Sequence, residues 1–331
     1  MARRREQTTL ARVGEFGFLR RLLDRLPVGA GVMVGPGDDC AVVEAGSRRI
    51  LITTDALVDE VHFRRSWMSS RQLGRKAYLV NASDIAAMGG RPRFCVISIG
   101  VPPDFPVRDL SEIHRGIAVA ASETGASVVG GNLARADALF VSLTLIGDAP
   151  RRPLRRRGAR PGDALFVTGD LGQAALGLRR LLRNDRERGP AVRRFCEPIP
   201  RLTAGAMLTR HRLASAAIDI SDGLLQDLGH LCEASGVGAR VEAELLPCRA
   251  VVRAAGDALA LTGGEDYELL CAVPAENLAR VERLKSRFGC RFTRIGQLMA
   301  IGDGIQVVDR HGKPMTLTRT GFDHFSRGGR S

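Results

Sequence analysis

The chain has 331 residues, more than one hydrophobic core usually accommodates, so two domains are expected. Its 44% hydrophobic residues, 26% charged residues and 38 glycines are typical of a globular α/β protein and exclude a fibrous or wholly disordered one. The formal net charge of +13 favours an anionic partner, but aromatic residues make up only 5% and do not alternate with the basic runs, which disfavours nucleic acid.

The amino-terminal residues 1–13 are basic and lack the apolar core of a signal peptide, so we expect a mobile tail. No later run reaches the roughly 18 apolar residues that a membrane helix needs. A cytoplasmic protein is therefore expected. The seven cysteines occur singly, without a C-x-x-C pair, which predicts neither a disulfide framework nor a zinc site.

The first half of the chain alternates helical and strand-like patterns. Apolar residues at Phe16, Leu19 and Leu22 have helical spacing and predict a helix that ends before Pro27. Further patterns predict strands at 50–54, 94–99, 127–129 and 139–146, and helices around 71–88 and 110–124. Together they indicate one α/β domain over residues 14–150.

An arginine-rich segment between prolines, residues 149–161, separates this domain from a second series. The second series has predicted strands at 165–168, 216–220 and 269–273, and predicted helices at 173–182, 224–234 and 277–288. We therefore predict a second α/β domain over residues 151–325, followed by a mobile tail at 326–331. No repeat of fixed period is present, which excludes solenoids and propellers.

Acidic residues recur where predicted strands end. The four places are Gly37-Asp38-Asp39, Thr53-Thr54-Asp55, Asn81-Ala82-Ser83-Asp84 and Asp219-Ile220-Ser221-Asp222-Gly223. Carboxylates brought together there would repel one another and take up protons unless a cation lay among them. Magnesium prefers oxygen ligands and leaves positions for water and phosphate oxygens. The pattern therefore predicts a magnesium site, with the hydroxyls of Thr53, Thr54 and Ser221 beside it.

Each acidic motif also has a purely local interpretation. Asp38, Asp39 and Asp222 suit turns and helix starts without any ligand. Only the four motifs together favour a metal site. The chain has no G-x-x-x-x-G-K-[ST] segment and no H-R-D segment, so any use of ATP needs another scaffold. Gly130 and Gly131, after the strand at 127–129, would form a turn that lets the backbone approach a phosphate chain.

Several ordered motifs resemble those of the thiamine-monophosphate kinase family, within the aminoimidazole-ribonucleotide-synthetase-like superfamily. They are GEFGFLRRL, PGDDCAVVE, ITTDALVDEVHF, VNASDIAAMGG, VVGGN, GARPGDALFVTGDLG, IDISDGLLQDLGHL, LTGGEDYELL and GFDHF. The resemblance runs from residue 14 to 325. The pattern D-x-L-V-x-x-V-H-F, together with the closing GFDHF, is specific to the family.

The resemblance implies a two-domain α/β (α+β) fold whose N-terminal sheet pairs with its twin in a homodimer. It implies direct transfer of the γ-phosphate of ATP to thiamine monophosphate, which gives thiamine diphosphate and ADP as the last step of thiamine diphosphate biosynthesis. Several magnesium ions would neutralise the two polyanions. No covalent nucleophile on the protein is implied.

The resemblance also implies roles for individual residues. Magnesium ligands would be Asp39, Thr53, Thr54, Asp55, Asp84, Asn132, Asp219 and Asp222. ATP contacts would be Gly131, Asn132, Arg156 and Ser221. Contacts to thiamine monophosphate would be His62, Glu265 and Phe322. The sequence leaves open whether Glu265 or the adjacent Asp266 faces the site. It also leaves open whether Arg155, Arg156 or Arg157 reaches the nucleotide.

Some of these residues have simpler interpretations or depart from the family pattern. His62 could be a packed strand histidine, and Phe322 could anchor the C-terminus in a core. Asn132 stands where many members have Asp, which removes one negative charge from a metal site, although an amide oxygen still coordinates magnesium. Glu60 stands where Gly is usual before V-H-F, which adds bulk beside His62.

Two rival functions remain at the level of sequence. One is another ATP-dependent enzyme of the superfamily, acting on a formylglycinamidine or selenium substrate, since fold does not fix function. The absence of an N-terminal Cys or Lys nucleophile motif disfavours the selenium substrate. The other is a basic regulatory protein that binds nucleic acid through residues 151–160. Retention of every strand-end acid disfavours it, because a binding module has no use for them.

Overall fold

A computed structural model describes residues 10–23, 26–27, 29–185, 189–256, 258–316 and 321. Residues 1–9 and 326–331 of the two predicted tails, and the predicted substrate contact Phe322, lie outside this part of the chain. Residues 10–13, predicted as tail, instead form a helical turn. Among the described residues, no helix combines the length and the apolar character that crossing a membrane requires.

The N-terminal half consists of a six-stranded sheet covered by helices. Its elements are α1 (Leu10–Val13), α2 (Glu15–Leu23), β1 (Val32–Val34), β2 (Ala41–Ala45), β3 (Arg48–Val58), α3 (Ser70–Ala87), β4 (Arg91–Val101), α4 (Val107–Glu123), β5 (Ser127–Arg135) and β6 (Phe140–Asp148). The strand order is β1-β2-β3-β6-β4-β5, antiparallel except for the parallel pair β4 and β5. Helices α3 and α4 pack on each other, and α3 also contacts β3 and β6.

Strand β5 differs from its prediction. The sequence predicted a strand at 127–129 and then a Gly-Gly turn, but the strand continues through both glycines, and Gly131 pairs with Ile97 of β4. A Cβ at Gly131 would lie 2.3 Å from the Ile97 carbonyl oxygen, so the glycine serves a close approach between strands and not a turn.

The C-terminal half has a second six-stranded sheet. Its elements are β7 (Ala164–Thr168), α5 (Gln173–Leu182), α6 (Pro190–Cys196), α7 (Leu202–Arg210), β8 (Ala216–Asp219), α8 (Leu224–Ser235), β9 (Gly238–Glu242), α9 (Ala250–Ala255), α10 (Ala258–Thr262), β10 (Leu269–Val273), α11 (Leu278–Leu284), β11 (Phe292–Met299) and β12 (Ile305–Val308). The order is β12-β9-β11-β7-β10-β8, antiparallel except for β9 and β12. The two-unit α/β fold predicted from the sequence is confirmed.

Helix α3 joins the two halves. It begins at a capping box, in which the Ser69 hydroxyl accepts from the Gln72 backbone and the Gln72 side chain accepts from the Ser69 backbone. It then packs against β3 and α4 of the first half and against α7 and β8 of the second. Because Gly205 of α7 lacks a side chain, α7 lies against the Ala86 carbonyl oxygen, where a Cβ would come within 2.0 Å. This packing brings the C-terminal end of α3 next to the end of β8.

Candidate active site

Three predicted metal ligands converge at the junction of the two halves. Asp39 lies between β1 and β2, Asp84 lies in α3, and Asp219 ends β8. One carboxylate oxygen of each lies within 4.8 Å of the others, and we call these three residues the carboxylate cluster. Asp39 and Asp219 are buried, with 7% and 4% exposure, so these acids do not belong to an ordinary solvated surface.

Hydroxyl groups support the cluster from neighbouring positions. Thr53 Oγ1 donates a hydrogen bond of 2.6 Å to Asp84, and Ser83 Oγ donates one of 2.6 Å to Asp219. Side chains alternate along β3, so the Thr54 hydroxyl lies on the opposite face and donates to the Leu143 carbonyl oxygen at 3.2 Å. The prediction grouped Thr53 with Thr54, but only the Thr53 hydroxyl reaches the cluster.

Arg156 is the arginine that reaches the cluster. Its guanidinium donates to Asp39 Oδ1 through Nε at 3.0 Å and through a terminal nitrogen at 2.6 Å. Its backbone N–H donates to Asp38 at 3.1 Å. Arg155 and Arg157 are exposed. Among the three arginines only Arg156 is partly buried and pairs with Asp39, so the structure selects the middle arginine, which the sequence did not resolve.

The cluster is electrostatically unfavourable without a cation. Burial, and then the charge of Asp39, raises the pKa of Asp219 to about 7. Burial, and then Asp219 and Asp55, raises the pKa of Asp84 well above its ordinary value. Asp39 Oδ2 is buried and has no hydrogen-bond partner among the described residues. Oxygen donors with raised pKa values and one unsatisfied buried oxygen match the ligand set that Mg²⁺ takes, so the residues fit this ion.

A second acidic group, formed by Asp55, Asp222 and Glu265, lies beside the cluster at an accessible surface between the two halves, which we call the cleft. Asp55 is solvent-accessible, yet the surrounding protein, followed by the charges of Asp222 and Glu265, raises its pKa to about 6. Asp222 accepts a hydrogen bond of 3.1 Å from Gln226. The carboxyl group of Asp55 therefore lies near enough to the cluster and to the loops that carry Asp222 and Glu265 to feel the charges of both.

Asp227 was not singled out from the sequence, although it organises the loop that carries Ser221 and Asp222. Its buried Oδ2 accepts three backbone hydrogen bonds of 3.1 Å each, from Ser221, Asp222 and Gly223. This single carboxylate satisfies the free N–H groups before α8. Asp227 is the fourth residue of α8, and a carboxylate in the first turn of a helix accepts such bonds. This position could have indicated the role of Asp227 from the sequence.

The adjacent acids Glu265 and Asp266 have different environments. Asp266 is buried and accepts from the Gly172 and Ala174 backbones at 2.6 and 3.3 Å, at the start of α5. Glu265 instead forms an ion pair with Lys76, a buried residue of α3 that sequence reasoning did not select. Glu265 is thus the residue of the pair that faces the cleft.

His62 and Glu60 lie in the turn that follows β3. The Val58 backbone N–H donates to His62 Nδ1 at 3.1 Å, which orients the imidazole. Val58 lies about 10 Å along β3 from Asp55, so His62 lies well away from the cluster, and its contact with the substrate stays a prediction. Glu60 has a φ of 62°, in the left-handed region that favours glycine, and its side chain pairs with Arg64 at 3.1 Å.

Gly131 and Asn132 do not join the cluster within one chain. They lie on β5, which β6 and β4 separate from β3. Three spacings of about 4.8 Å place β5 roughly 14 Å from β3. Within one copy of the chain Asn132 therefore lies far from Asp39 and Asp84, which the motifs alone did not reveal because they do not give the strand order. Its role as a magnesium ligand stays a prediction.

Comparison with known proteins gives consistent family matches. The family model "AIR synthase related protein, N-terminal domain" matches residues 37–149, and "AIR synthase related protein, C-terminal domain" matches residues 160–308. The thiamine-monophosphate kinase of Salmonella typhimurium is 37% identical over 327 residues, covering 95% of this chain and 98% of its own. The thiamine-monophosphate kinase of Mycobacterium tuberculosis is 39% identical over 274 residues, covering 80% and 82%.

Solved structures show the same relationship. The structure of AaThiL complexed with AMPPCP and TMP superposes with a TM-score of 0.84 at 33% identity, covering 96% of this chain and 99% of that one. The hydrogenase maturation protein HypE in complex with ATP has a TM-score of 0.68 at 20% identity, covering 92% of this chain and 93% of that one. The second likeness concerns the fold alone.

Proposed function

Since the chain belongs to the thiamine-monophosphate kinase family, we propose that it transfers the γ-phosphoryl group of ATP to thiamine monophosphate in the cytoplasm and releases thiamine diphosphate and ADP. The observation that carries the proposal is the convergence of Asp39, Asp84 and Asp219, from both halves of the chain, within 4.8 Å. The complex of AaThiL with AMPPCP and TMP, 33% identical to this chain, supports the same pair of ligands.

The cofactor we propose is magnesium, as several ions. The carboxylate cluster would hold it, and Thr53, Asp55 and Asp222 would extend the ligand set into the open cleft. Bound magnesium supplies positive charge that lets two polyanions approach and that stabilises the transferring phosphoryl group. Asn132 would take part only from a second copy of the chain.

The chain's own residues position and shield the reactants. The acceptor is already an anionic phosphate oxygen, so the reaction needs no strong base and no protein nucleophile. Cys40 lies beside the cluster, but burial, followed by the charges of Asp84 and Asp39, raises its pKa well above its ordinary value. The thiol therefore stays neutral and is a poor nucleophile. Arg156 would bind phosphate oxygens, with Ser221 as a further contact to ATP and Gly131 as a contact from a second copy of the chain.

At the other end of the cleft, we assign the organic part of the substrate to Glu265 and His62, with Phe322 as a third contact from outside the described residues. Thiamine carries a permanent positive charge on its thiazolium ring, and a carboxylate such as Glu265 attracts it. The phosphate of the substrate would thus lie at the end of the cleft that holds the metal. Its positively charged thiazolium ring would lie at the other end, beside the carboxylate of Glu265.

A product assay separates this function from its rivals. The purified protein is incubated with ATP, Mg²⁺ and a panel of phosphorylated vitamins and purine precursors, and products are identified by mass. We expect only thiamine monophosphate to gain a phosphoryl group. Conversion of a formylglycinamidine compound would identify a different enzyme of the superfamily. Salt-sensitive binding of random DNA without any phosphoryl transfer would favour the regulatory rival.

The partner we propose, besides the two substrates, is a second copy of the chain. All nine residues of the edge strand β5 are exposed, and apolar side chains there include Val129 and Leu133, at 57% and 56%. Phe94 and Val96 of the neighbouring strand β4 are also exposed on one face of this edge, at 44% and 39%. A long, flat, apolar edge strand is a surface that proteins normally cover, and two-fold symmetry is the commonest way of doing so.

We place the boundary between the two domains within residues 149–161, so that the domains span 14–150 and 151–325. The last strand of the first sheet ends at Asp148, and the first strand of the second sheet begins at Ala164. The intervening segment supplies Arg156 to the cluster, so it serves both as a linker and as part of the site.

A further inference from the structure

Lys76 is an unusual residue within α3. Its side chain is fully buried, at 0% exposure, although a lysine is seldom removed from water unless its charge is compensated. Its Nζ donates to the Phe195 carbonyl oxygen at 2.9 Å, lies 3.6 Å from the centre of the Phe195 ring, and forms the ion pair with Glu265. The ammonium group therefore connects α3 with α6 and with the loop before β10.

Glu265 is held in a demanding backbone conformation. Its φ is 72°, in the left-handed region that is unfavourable for residues with a Cβ, and Tyr267 has a φ of 51°. The Glu265 N–H donates to the Ser221 carbonyl oxygen at 2.7 Å, which ties this loop to the loop that carries Asp222. The Glu265 side chain is 21% exposed towards the cleft. The ion pair with Lys76 is its one described side-chain anchor.

The same helix supports both ends of the cleft. Lys76 and Asp84 are eight residues apart on α3, which corresponds to about 12 Å along the axis. Helix α3 is capped at its start and buried along most of its length, so this separation is fixed by a rigid element. The position of Glu265 relative to the carboxylate cluster therefore depends on Lys76.

We propose that Lys76 is a positioning residue that holds the Glu265 carboxylate at a set distance from the carboxylate cluster and so selects phosphate esters whose organic part is positively charged. The proposal rests on the proposed function. Only three of the 49 lysine and arginine residues in the chain are lysines, so a lysine at this position is unlike the usual cationic residue of this chain. A compact ammonium fits between a carboxylate, a carbonyl oxygen and an aromatic face, whereas a planar guanidinium demands more space.

The test is a double-mutant cycle between Lys76→Met and Glu265→Gln, read as separate KM values for thiamine monophosphate and for ATP. Lys76→Met is expected to raise the KM for thiamine monophosphate by about ten-fold to 100-fold, as for the loss of a charge-assisted hydrogen bond. The KM for ATP should change by less than about two-fold, because the proposal assigns Glu265 to thiamine monophosphate and not to ATP. In the Glu265→Gln background, adding Lys76→Met should change neither KM by more than about two-fold.

Two outcomes would overturn the inference. One is an equal rise in both KM values; the other is a further ten-fold rise when Lys76→Met is added to Glu265→Gln. Should Lys76→Met alone fail to fold, the comparison of Glu265→Gln with the double variant, which removes both charges of the ion pair, still decides the matter. A wild-type protein that does not phosphorylate thiamine monophosphate at all would instead refute the proposed function.

Discussion

Asp39 is held by Arg156 through one of its two carboxylate oxygens, while the other oxygen has no hydrogen-bond partner among the described residues. Buried carboxylates that lack full compensation are costly, and their cost is tolerated where a ligand completes the set. Asp39 therefore has two separate functions. One oxygen stabilises the folded chain through Arg156, and the other is available to a cation.

Arg156→Ala is expected to lower the free energy of unfolding by about 3 kcal/mol, because it leaves a buried carboxylate without its ion-pair partner. Chemical denaturation measured without magnesium is the appropriate test. Arg157→Ala is the matched control, since that neighbour is exposed, and its effect should stay within about 0.5 kcal/mol. Equal losses in the two variants would show that the contact to Asp39 contributes nothing to stability.

Asp266 gives a prediction about pH. Burial raises its pKa from 3.8 to about 7 in the folded protein, so between these values the folded state holds a proton that the unfolded state has released. Stability therefore falls as pH rises through this window, by up to about 1.4 kcal/mol per pH unit from this group, and the loss is complete above pH 7.

Asp266→Asn removes this titration and retains an acceptor for the Gly172 N–H. Free energies of unfolding measured from pH 5 to pH 8 should therefore fall less steeply in this variant than in the wild type. The exposed Asp303→Asn should behave like the wild type. Parallel pH profiles for all three proteins would contradict the raised pKa of Asp266.

The acidic residues at strand ends could be predicted as site residues from the sequence, because the free-energy cost of burying a carboxylate does not depend on the details of the fold. Other choices needed coordinates. Arg156 differs from its neighbours only once the position of Asp39 is known. Glu265 is distinguished from Asp266 only by the position of α5, whose first residues donate backbone hydrogen bonds to Asp266. Lys76 was missed, since a single lysine in a helical pattern is normally solvated and its partner Glu265 is 189 residues away.

At the scale of elements, segments with a clear periodicity or an uninterrupted apolar run were predictable, and segments with neither were not. Helices α3 and α4 and strands β3, β4 and β6 have enough turns or alternating positions for the pattern to be clear. Strands β1, β9 and β12 have only three to five residues and are stabilised by pairing with distant segments. The continuation of β5 through Gly130 and Gly131 was missed because the close approach to β4 is a tertiary property.

Helix α3 and its contact with α7 fix the relation between the halves of the site. Gly205→Ala would place a Cβ 2.0 Å from the Ala86 carbonyl oxygen, so α7 has to move. We expect a loss of about 1–3 kcal/mol in the free energy of unfolding. A fall in kcat is also expected, because Asp219 shifts relative to Asp84.

Gly229→Ala in α8 is the control for helix propensity. Its Cβ would lie 4.0 Å from the nearest side-chain atom, so the variant should gain about 0.5–1 kcal/mol. If Gly205→Ala were stabilising by a similar amount, close packing of α7 on α3 would not be a requirement of the fold.

For the whole molecule, the exposed edge strand β5 leads to a prediction about assembly. We expect a homodimer in analytical ultracentrifugation, and we expect Leu133→Glu to shift it towards monomer by placing a charge in an apolar interface. Val107→Glu is the control, because Val107 is 78% exposed at the start of α4 and belongs to neither β4 nor β5. A monomeric wild type, or dissociation by both substitutions alike, would contradict this assignment.

The central claim is that carboxylates from both halves of the chain hold the metal on which phosphoryl transfer depends. It is tested most directly by the transfer of a radioactive γ-phosphate from ATP to thiamine monophosphate, with and without Mg²⁺, in the wild type, Asp84→Asn and Asp303→Asn. We predict magnesium-dependent transfer in the wild type and in Asp303→Asn. In a folded Asp84→Asn protein the rate of transfer should be lower by about 100-fold or more. Undiminished transfer in Asp84→Asn, or full transfer by the wild type without divalent metal, would contradict the claim.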